Sequence, residues 1–494
     1  MTETTRTLVP PPPAARTGPH AAEVAGSLLD QAGAIRRGEL SSRELTRMYL
    51  DRIDALDRRF TLNSFILSRG EQALAEAAKL DEQQAAGRPL GPLHGIPLGI
   101  KDNLFTAGTT TSAGTALLGS FVPAQDAAVV RLLRAAGALV LGKTNLHECS
   151  LGVTSNNPHY GAVRNPYDPL RIPGGSSGGS GAAVAARLCS AAIGTDTGGS
   201  VRIPAALCGV VGFKPTLGRV SRSRMFGLSW SYDVIGPIAR SVEDAAVLLR
   251  VASSGRPPLD GLIPGAGNRV RLRGVRIGIP DGYFANDNIA DVDDVLKQTY
   301  KRLEQAGAIL VPVTVADVEQ AIDTGSLTVI PEAVVLIEQA LHEAGIAGGI
   351  AANLDRFGAD VRKALGSQVG PGADKIVPAF VYAEAMARKL PAIRRGFADA
   401  LAGVDVLLTA TTPATASPIA ESTEMLHNGR TVDTFETFTR YTSCVSMAGL
   451  PAISIPAGVG QGGLPVGVQL VGPAWSEAKL FGIALAYEHL LNAG

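Results

Sequence analysis

The chain has 494 residues, 46% of them hydrophobic, and its 45 basic and 45 acidic side chains balance to a formal net charge of zero. That composition supports a sizeable buried core, and the neutral balance provides no electrostatic footprint for nucleic acid or an anionic membrane. The four cysteines, at 149, 189, 208 and 444, make neither a Cys-x-x-Cys pair nor a zinc-finger spacing, and read as buried free thiols of a reducing compartment.

Residues 1–20 are polar and Pro-rich with no apolar signal segment, and predict a flexible tail ahead of a single domain over 21–494. No run approaches the roughly 18 apolar residues of a membrane span, so a soluble, cytoplasmic protein is expected. Ser41 and Glu44 form a capping-box pattern ahead of a helix, and a second helical stretch covers 70–87. The apolar run HGIPLGI predicts a strand that delivers Lys101 to a sheet edge. DAAVVRLLRAAG reads as helix, ALVLG as buried strand, and 150–179, rich in Asn, Pro, Ser and Gly, as loop. GSGAAVAARLC predicts a helix packed through small residues, and AAIGTDTGGS a strand running into a turn. A second capping box is expected at Ser241 and Asp244. VRIGIP, ADVDDVLKQTYKRLEQAG and AILVPV then repeat strand, helix, strand. Such alternation implies an α/β fold with a largely parallel sheet. Residues 321–400 are mostly helical in pattern.

Three segments bear chemistry. Residues 174–181 read Gly-Gly-Ser-Ser-Gly-Gly-Ser-Gly, residues 195–200 read Thr-Asp-Thr-Gly-Gly-Ser, and Lys101 stands in Gly-Ile-Lys-Asp-Asn. A serine becomes a nucleophile only when something takes its proton. Glycines let the backbone turn sharply and aim N–H groups at a developing oxyanion. A lysine in apolar surroundings can shed its charge and act as a base. Asp102 and Asp196, beside these segments, either tune local charge or cap turns.

These segments, HGIPLGIKDN at 94–103, GKTNLHE at 142–148, RNPYDPLRIPGGSSGGS at 164–180 and GTDTGGSVRIPAALCGVVGFKPT at 194–216, resemble the amidase signature family. The likeness is densest over about 93–244 and continues in VDVLLTATTP at 404–413 and AGLPAISIPAG at 448–458. It implies an α/β amidase signature fold, a large mixed, mostly parallel sheet covered by helices on both faces. It also implies a Ser–cis-Ser–Lys set: Ser200 as nucleophile, Ser176 as the cis-serine and Lys101 as base, with Ser177 reaching the lysine too. The family's oxyanion hole falls on Thr197, Gly198, Gly199 and Ser200. Its acyl pocket falls on Cys149, Ser150 and Leu151 and on the variable region about 321–430. No metal or cofactor is implied.

Two motifs mislead. Residues 137–144, GALVLGKT, match a P-loop letter for letter, but Ala-Leu-Val-Leu reads as a strand whose N–H groups go into a ladder. Gly174–Gly178 and Gly175–Gly179 both match the G-x-S-x-G nucleophile elbow, which needs a strand in front and a partner histidine behind. Pro173 argues against that strand, and His342, His427 and His489 sit in no distinctive setting. His147 with Glu148, or His159, lacks the spacing of a metal site.

The expected activity is hydrolysis of a small-molecule amide by a monomer or homodimer. Two alternatives share the same catalytic residues. One is a urea or carbamate hydrolase of the allophanate or urethane type. The other is the glutaminase component of a tRNA-dependent amidotransferase. Ile203 stands where tRNA-linked members resemble Arg-Gln-Pro, which favours a free-standing hydrolase.

Overall fold

A computed structural model describes residues 9–57, 61–253, 271–370 and 372–492. Eleven strands form one sheet: β1 (Phe65–Ser68), β2 (Pro97–Lys101), β3 (Leu139–Thr144), β4 (Ala191–Asp196), β5 (Val211–Lys214), β6 (Val234–Ala239), β7 (Arg276–Pro280), β8 (Ile309–Val313), β9 (Val406–Ala410), β10 (Ala452–Val459) and β11 (Pro465–Val471). Their spatial order is β1-β3-β2-β4-β6-β5-β10-β11-β9-β7-β8.

The expected large mixed sheet, with helices packed around it, is the one found. Its parallel pairing is confined to two blocks, β3-β2-β4 and β9-β7-β8. The middle, from β4 through β6, β5, β10 and β11 to β9, is antiparallel. The connections explain the division. Helices Ala128–Ala135 and Ala290–Gln305 cross over between β2 and β3 and between β7 and β8, as parallel pairing requires. Only residues 460–464 join β10 to β11, so that strand pair must run antiparallel. The P-loop look-alike is β3, all six of its residues buried.

Four helices position the site: α1 (Gly178–Ala185), α2 (Arg202–Leu207), α3 (Ala321–Glu343) and α4 (Thr434–Ala448). Helix α1 consists of small residues because it lies hard against its neighbours. A Cβ at Gly179 would come within 2.4 Å of the carbonyl oxygens of Asn145 and Ser64. The loop predicted ahead of α1 holds one short antiparallel pair, Asn156–Asn157 with Gly161–Ala162.

The Ser41–Glu44 capping box forms as expected, opening helix Ser42–Leu56. At the second box the Ser241 side chain accepts from Asp244 N–H, but the Asp244 carboxylate accepts from Leu28 and Leu29 N–H instead of returning to its own helix. It therefore caps helix Leu28–Arg36 from across the molecule, a contact that its local sequence could not reveal. Residues 1–8 of the expected tail lie outside the described residues. Residues 9–20 are not free: they contain the short helix Pro13–Arg16 and lie against the domain. The buried Arg52 guanidinium donates to the carbonyls of Ala14, Thr17 and Pro19 and also to those of Ala186 and Arg187. Among the described residues, one helical stretch, Val318–Glu343, is long and apolar enough to cross a membrane by length and composition alone. It buries Thr324, Thr328 and Glu332 against the rest of the chain.

Candidate active site

Lys101 is the last residue of β2. This strand is interior, bonded to β3 and β4 on its two sides, so the lysine emerges at a strand end and not on the expected sheet edge. Its Nζ lies 2.7 Å from Ser176 Oγ and 2.8 Å from Thr195 Oγ1. Burial lowers its pKa from 10.5 to about 7, against the opposing pull of the Asp233 and Asp196 carboxylates. A lysine with that pKa is substantially neutral at neutral pH and has a lone pair to offer.

Ser176 sits just before the N-terminus of α1, and the Gly175–Ser176 peptide is cis. Ser177 does not reach the lysine: its Oγ donates to Thr195 O at 3.1 Å, and its N–H donates to Ser200 O at 3.2 Å. It thereby ties the start of α1 to both β4 and the following turn.

That turn, 196–200, is held by Asp196. Its carboxylate accepts from Gly199 N–H at 2.9 Å and Val201 N–H at 3.2 Å, and binds both Nε and Nη2 of Arg202. Burial pushes the Asp196 pKa up, but the Arg202 charge and hydrogen bonds outweigh it and hold the carboxyl below its ordinary value. The role of Asp196 thus combines the two sequence readings, capping the turn and placing a fixed charge beside Lys101. Asp102 caps as well, accepting from Ser112 N–H, and pairs with the buried Lys143 at 3.1 Å.

One of the four expected oxyanion donors, the Gly199 N–H, is engaged by Asp196. Among the described residues none accepts from the N–H of Thr197, Gly198 or Ser200, so three of the four expected donors are free. Gly199 has φ +133°, and a Cβ there would meet Thr442 Oγ1 at 2.2 Å. The Gly198 carbonyl accepts from Thr442 Oγ1 at 2.6 Å, which fixes the outward aim of the turn.

Lys101 and Ser176 are 0% exposed and Ser200 is 8% exposed. Of the three, Ser200 alone faces the adjoining cavity. Among the described residues its Oγ carries no hydrogen bond, so the link to Ser176 Oγ is not made in the free protein, as is common before substrate closes a site.

The cavity encloses about 720 Å³ of empty space, counting its open mouth. One wall holds Thr197, Gly198 and Ser200, and a second holds 150–153 with Leu228 and Tyr232. Cys149 is not on the wall, whereas Ser150 and Leu151 are, and both Cys149 and Ser150 have positive φ. Helix α3 supplies the third wall from Ala321 to Ile330, and the fourth comes from α4, outside the region expected to shape the pocket, through Phe435, Thr439, Ser443 and Met447.

The sequence reading also missed Thr195 and Asn103. Asn103 Nδ2 donates to Thr195 Oγ1 at 3.1 Å, the same oxygen that receives Lys101 Nζ. Asn103 lies in the turn that follows β2, closed by Leu104 N–H donating to Lys101 O, and this turn brings it back beside the lysine. The histidines stand apart from this network. His147 pairs with Asp360 and His159 with Glu148, each at 2.7 Å. Among the described residues no group of three or more His, Cys, Asp or Glu is placed to hold a metal ion.

The family model named Amidase matches residues 44–481. A glutamyl-tRNA(Gln) amidotransferase subunit from Thermosynechococcus vestitus is 39% identical over 471 residues, covering 92% of this chain and 95% of that protein. The native peptide amidase of Stenotrophomonas maltophilia superposes with TM-score 0.78 at 35% identity, covering 94% and 96% of the two chains. A structure described only as an amidase reaches TM-score 0.83 at 34% identity, covering 94% and 99%. The chain belongs to the amidase family.

Proposed function

We propose that this protein hydrolyses a carboxylic amide C–N bond through an acyl-Ser200 intermediate. The observation that supports this most is a fully buried lysine with a pKa near 7 bonded to Ser176, beside Ser200, which of these three residues alone faces the cavity. Lys101 Nζ accepts the Ser176 proton as Ser176 Oγ accepts the Ser200 proton, and Ser200 Oγ attacks the amide carbonyl. The N–H groups of Thr197, Gly198 and Ser200 receive the oxyanion. The proton returns through Ser176 to the leaving nitrogen, the C–N bond breaks and the amine departs. Water then attacks the acyl-serine by the same relay and releases the acid. The residues need no cofactor for these steps. A fluorophosphonate should label Ser200, identified by peptide mapping, and label it more slowly in Ser176→Ala. A label on Ser176 or Ser177 would overturn the assignment.

A second reading, a glutaminase that passes ammonia to a partner protein, is favoured by the 39% identity to an amidotransferase component. Ammonia release from glutamine that appears only when partner proteins are added would support it.

A further inference from the structure

The cavity that receives the acyl group is lined by Ser, Thr, Gly, Ala, Tyr232 and apolar side chains, and among the described residues no Asp, Glu, Lys, Arg or His lines it. Substrate leaves the acyl part of an amide attached to Ser200, so this lining must hold whatever that acyl part bears. The glutamine acyl part bears an α-ammonium and an α-carboxylate. A buried charge needs a partner of opposite sign and satisfied hydrogen bonds, or it is strongly disfavoured.

The exposed charges nearest in sequence to the lining on the two helices carry the wrong sign for a carboxylate. Asp323 follows Ile322 on α3 and Glu436 follows Phe435 on α4. The two helices bring them close enough that burial, Asp433 and Asp323 together push the Glu436 pKa up. Arg440, one residue beyond the lining Thr439, is turned away and stacked 4.2 Å over the Tyr283 ring.

Small residues give the cavity its room. Gly325 on α3 is in contact range of Met447 on α4, where an added Cβ would lie 2.9 Å from Met447 Cε. A larger side chain there must displace Met447 or fill the cavity itself.

We infer that the substrate is an amide with a neutral, apolar acyl group, and that the acyl pocket rejects the zwitterionic glutamine side of the family. This rests on the proposed amide hydrolysis at Ser200 and narrows it.

The experiment uses the purified full chain and two primary amides that share the reacting end, glutamine and 4-methylpentanamide, in which two methyl groups stand in place of the ammonium and the carboxylate. We expect kcat/KM for 4-methylpentanamide to exceed that for glutamine by about 100-fold or more, the scale on which a pocket built for one chemistry rejects another. Glutamine hydrolysed as fast or faster overturns the inference. In Gly325→Val the turnover ratio of 4-methylpentanamide to acetamide should fall about 10-fold or more; an unchanged ratio places the acyl group elsewhere and overturns it too. Fluorophosphonate labelling of Ser200 in the same preparation separates the two levels. Labelling with a preference for glutamine defeats only this inference, while no labelling and no hydrolysis of either amide defeats the proposed function with it.

Discussion

On one side of the cavity, Thr197, Gly198 and Ser200 sit on backbone fastened by a carboxylate, a guanidinium and two hydroxyls. Asp196, Arg202, Thr442 and Ser443 all bind within this one turn or its anchor. On the other side, Ile322, Val329, Phe435 and Met447 project from two helices that meet by packing. The first wall is over-determined by directional bonds, which hold donors to within a few tenths of an ångström and suit chemistry that develops charge. The second is set by shape, which tolerates exchange of apolar side chains of similar volume. Substitutions should therefore abolish turnover on the first wall and re-tune selectivity on the second.

The largest effect is expected at the nucleophile. Ser200→Ala should lower kcat by about 10⁴-fold or more with the fold intact, as followed by steady-state hydrolysis and circular dichroism. Retention of more than about one percent of turnover would remove Ser200 from the mechanism.

Next, Lys101→Arg should be nearly as damaging as Lys101→Ala, about 10²–10⁴-fold, because arginine stays charged. In the unsubstituted protein kcat/KM should rise through about pH 7 as Lys101 loses its proton, then level off. The same group gives stability a sign. The folded protein holds fewer protons on Lys101 than the unfolded chain between about pH 7 and the ordinary lysine value, so its contribution to stability grows as pH rises across that window. A profile that falls with rising pH across neutrality would contradict the lysine base.

Asp196→Asn tests the fastening of the first wall. It leaves Arg202, itself fully buried, without its anion, at a cost of about 3–5 kcal/mol, visible as a lowered midpoint in urea or thermal unfolding. A change within error would show that the turn is held by Thr442 and Ser443 alone.

The smallest effect belongs to the second wall. Glu332 of α3 accepts from Ser229 Oγ, Ser231 Oγ and Tyr382 OH, tying the helix to the loop that presents Tyr232. Glu332→Gln keeps the shape and part of the bonding, so it should cost about 1–3 kcal/mol of stability and raise KM more than it lowers kcat. Equal loss in both parameters would make the second wall as exacting as the first.

The same contrast explains what could be read before the structure. Lys101, Ser176 and Ser200 lie in short motifs whose local chemistry is self-contained, and the β7–helix–β8 unit follows from one run of alternating patterns. What stayed hidden depends on partners far along the chain. The α4 residues reach Ser200 from more than two hundred positions away. The Asp244 carboxylate serves the helix at Leu28 instead of its own. The antiparallel centre of the sheet follows from which strands become neighbours, and periodicity within a strand says nothing of that. The engagement of the Gly199 N–H stayed hidden for the same reason. A Thr-Gly-Gly-Ser turn announces four donors, but only the side-chain geometry of Asp196 shows that one is engaged.

Arg52 adds a further consequence. Its guanidinium is a rivet through two layers of chain: three of its acceptor carbonyls, on Ala14, Thr17 and Pro19, belong to the N-terminal stretch. The other two, on Ala186 and Arg187, follow directly on the helix that Ser177 opens. Trimming residues 9–20 would remove three of the five carbonyls that hold this cation at the far end of that helix. Residues 9–20, an unpromising stretch of the sequence for catalysis, thus act as ballast for the serine helix, and where the chain is cut or tagged becomes a question about the active site.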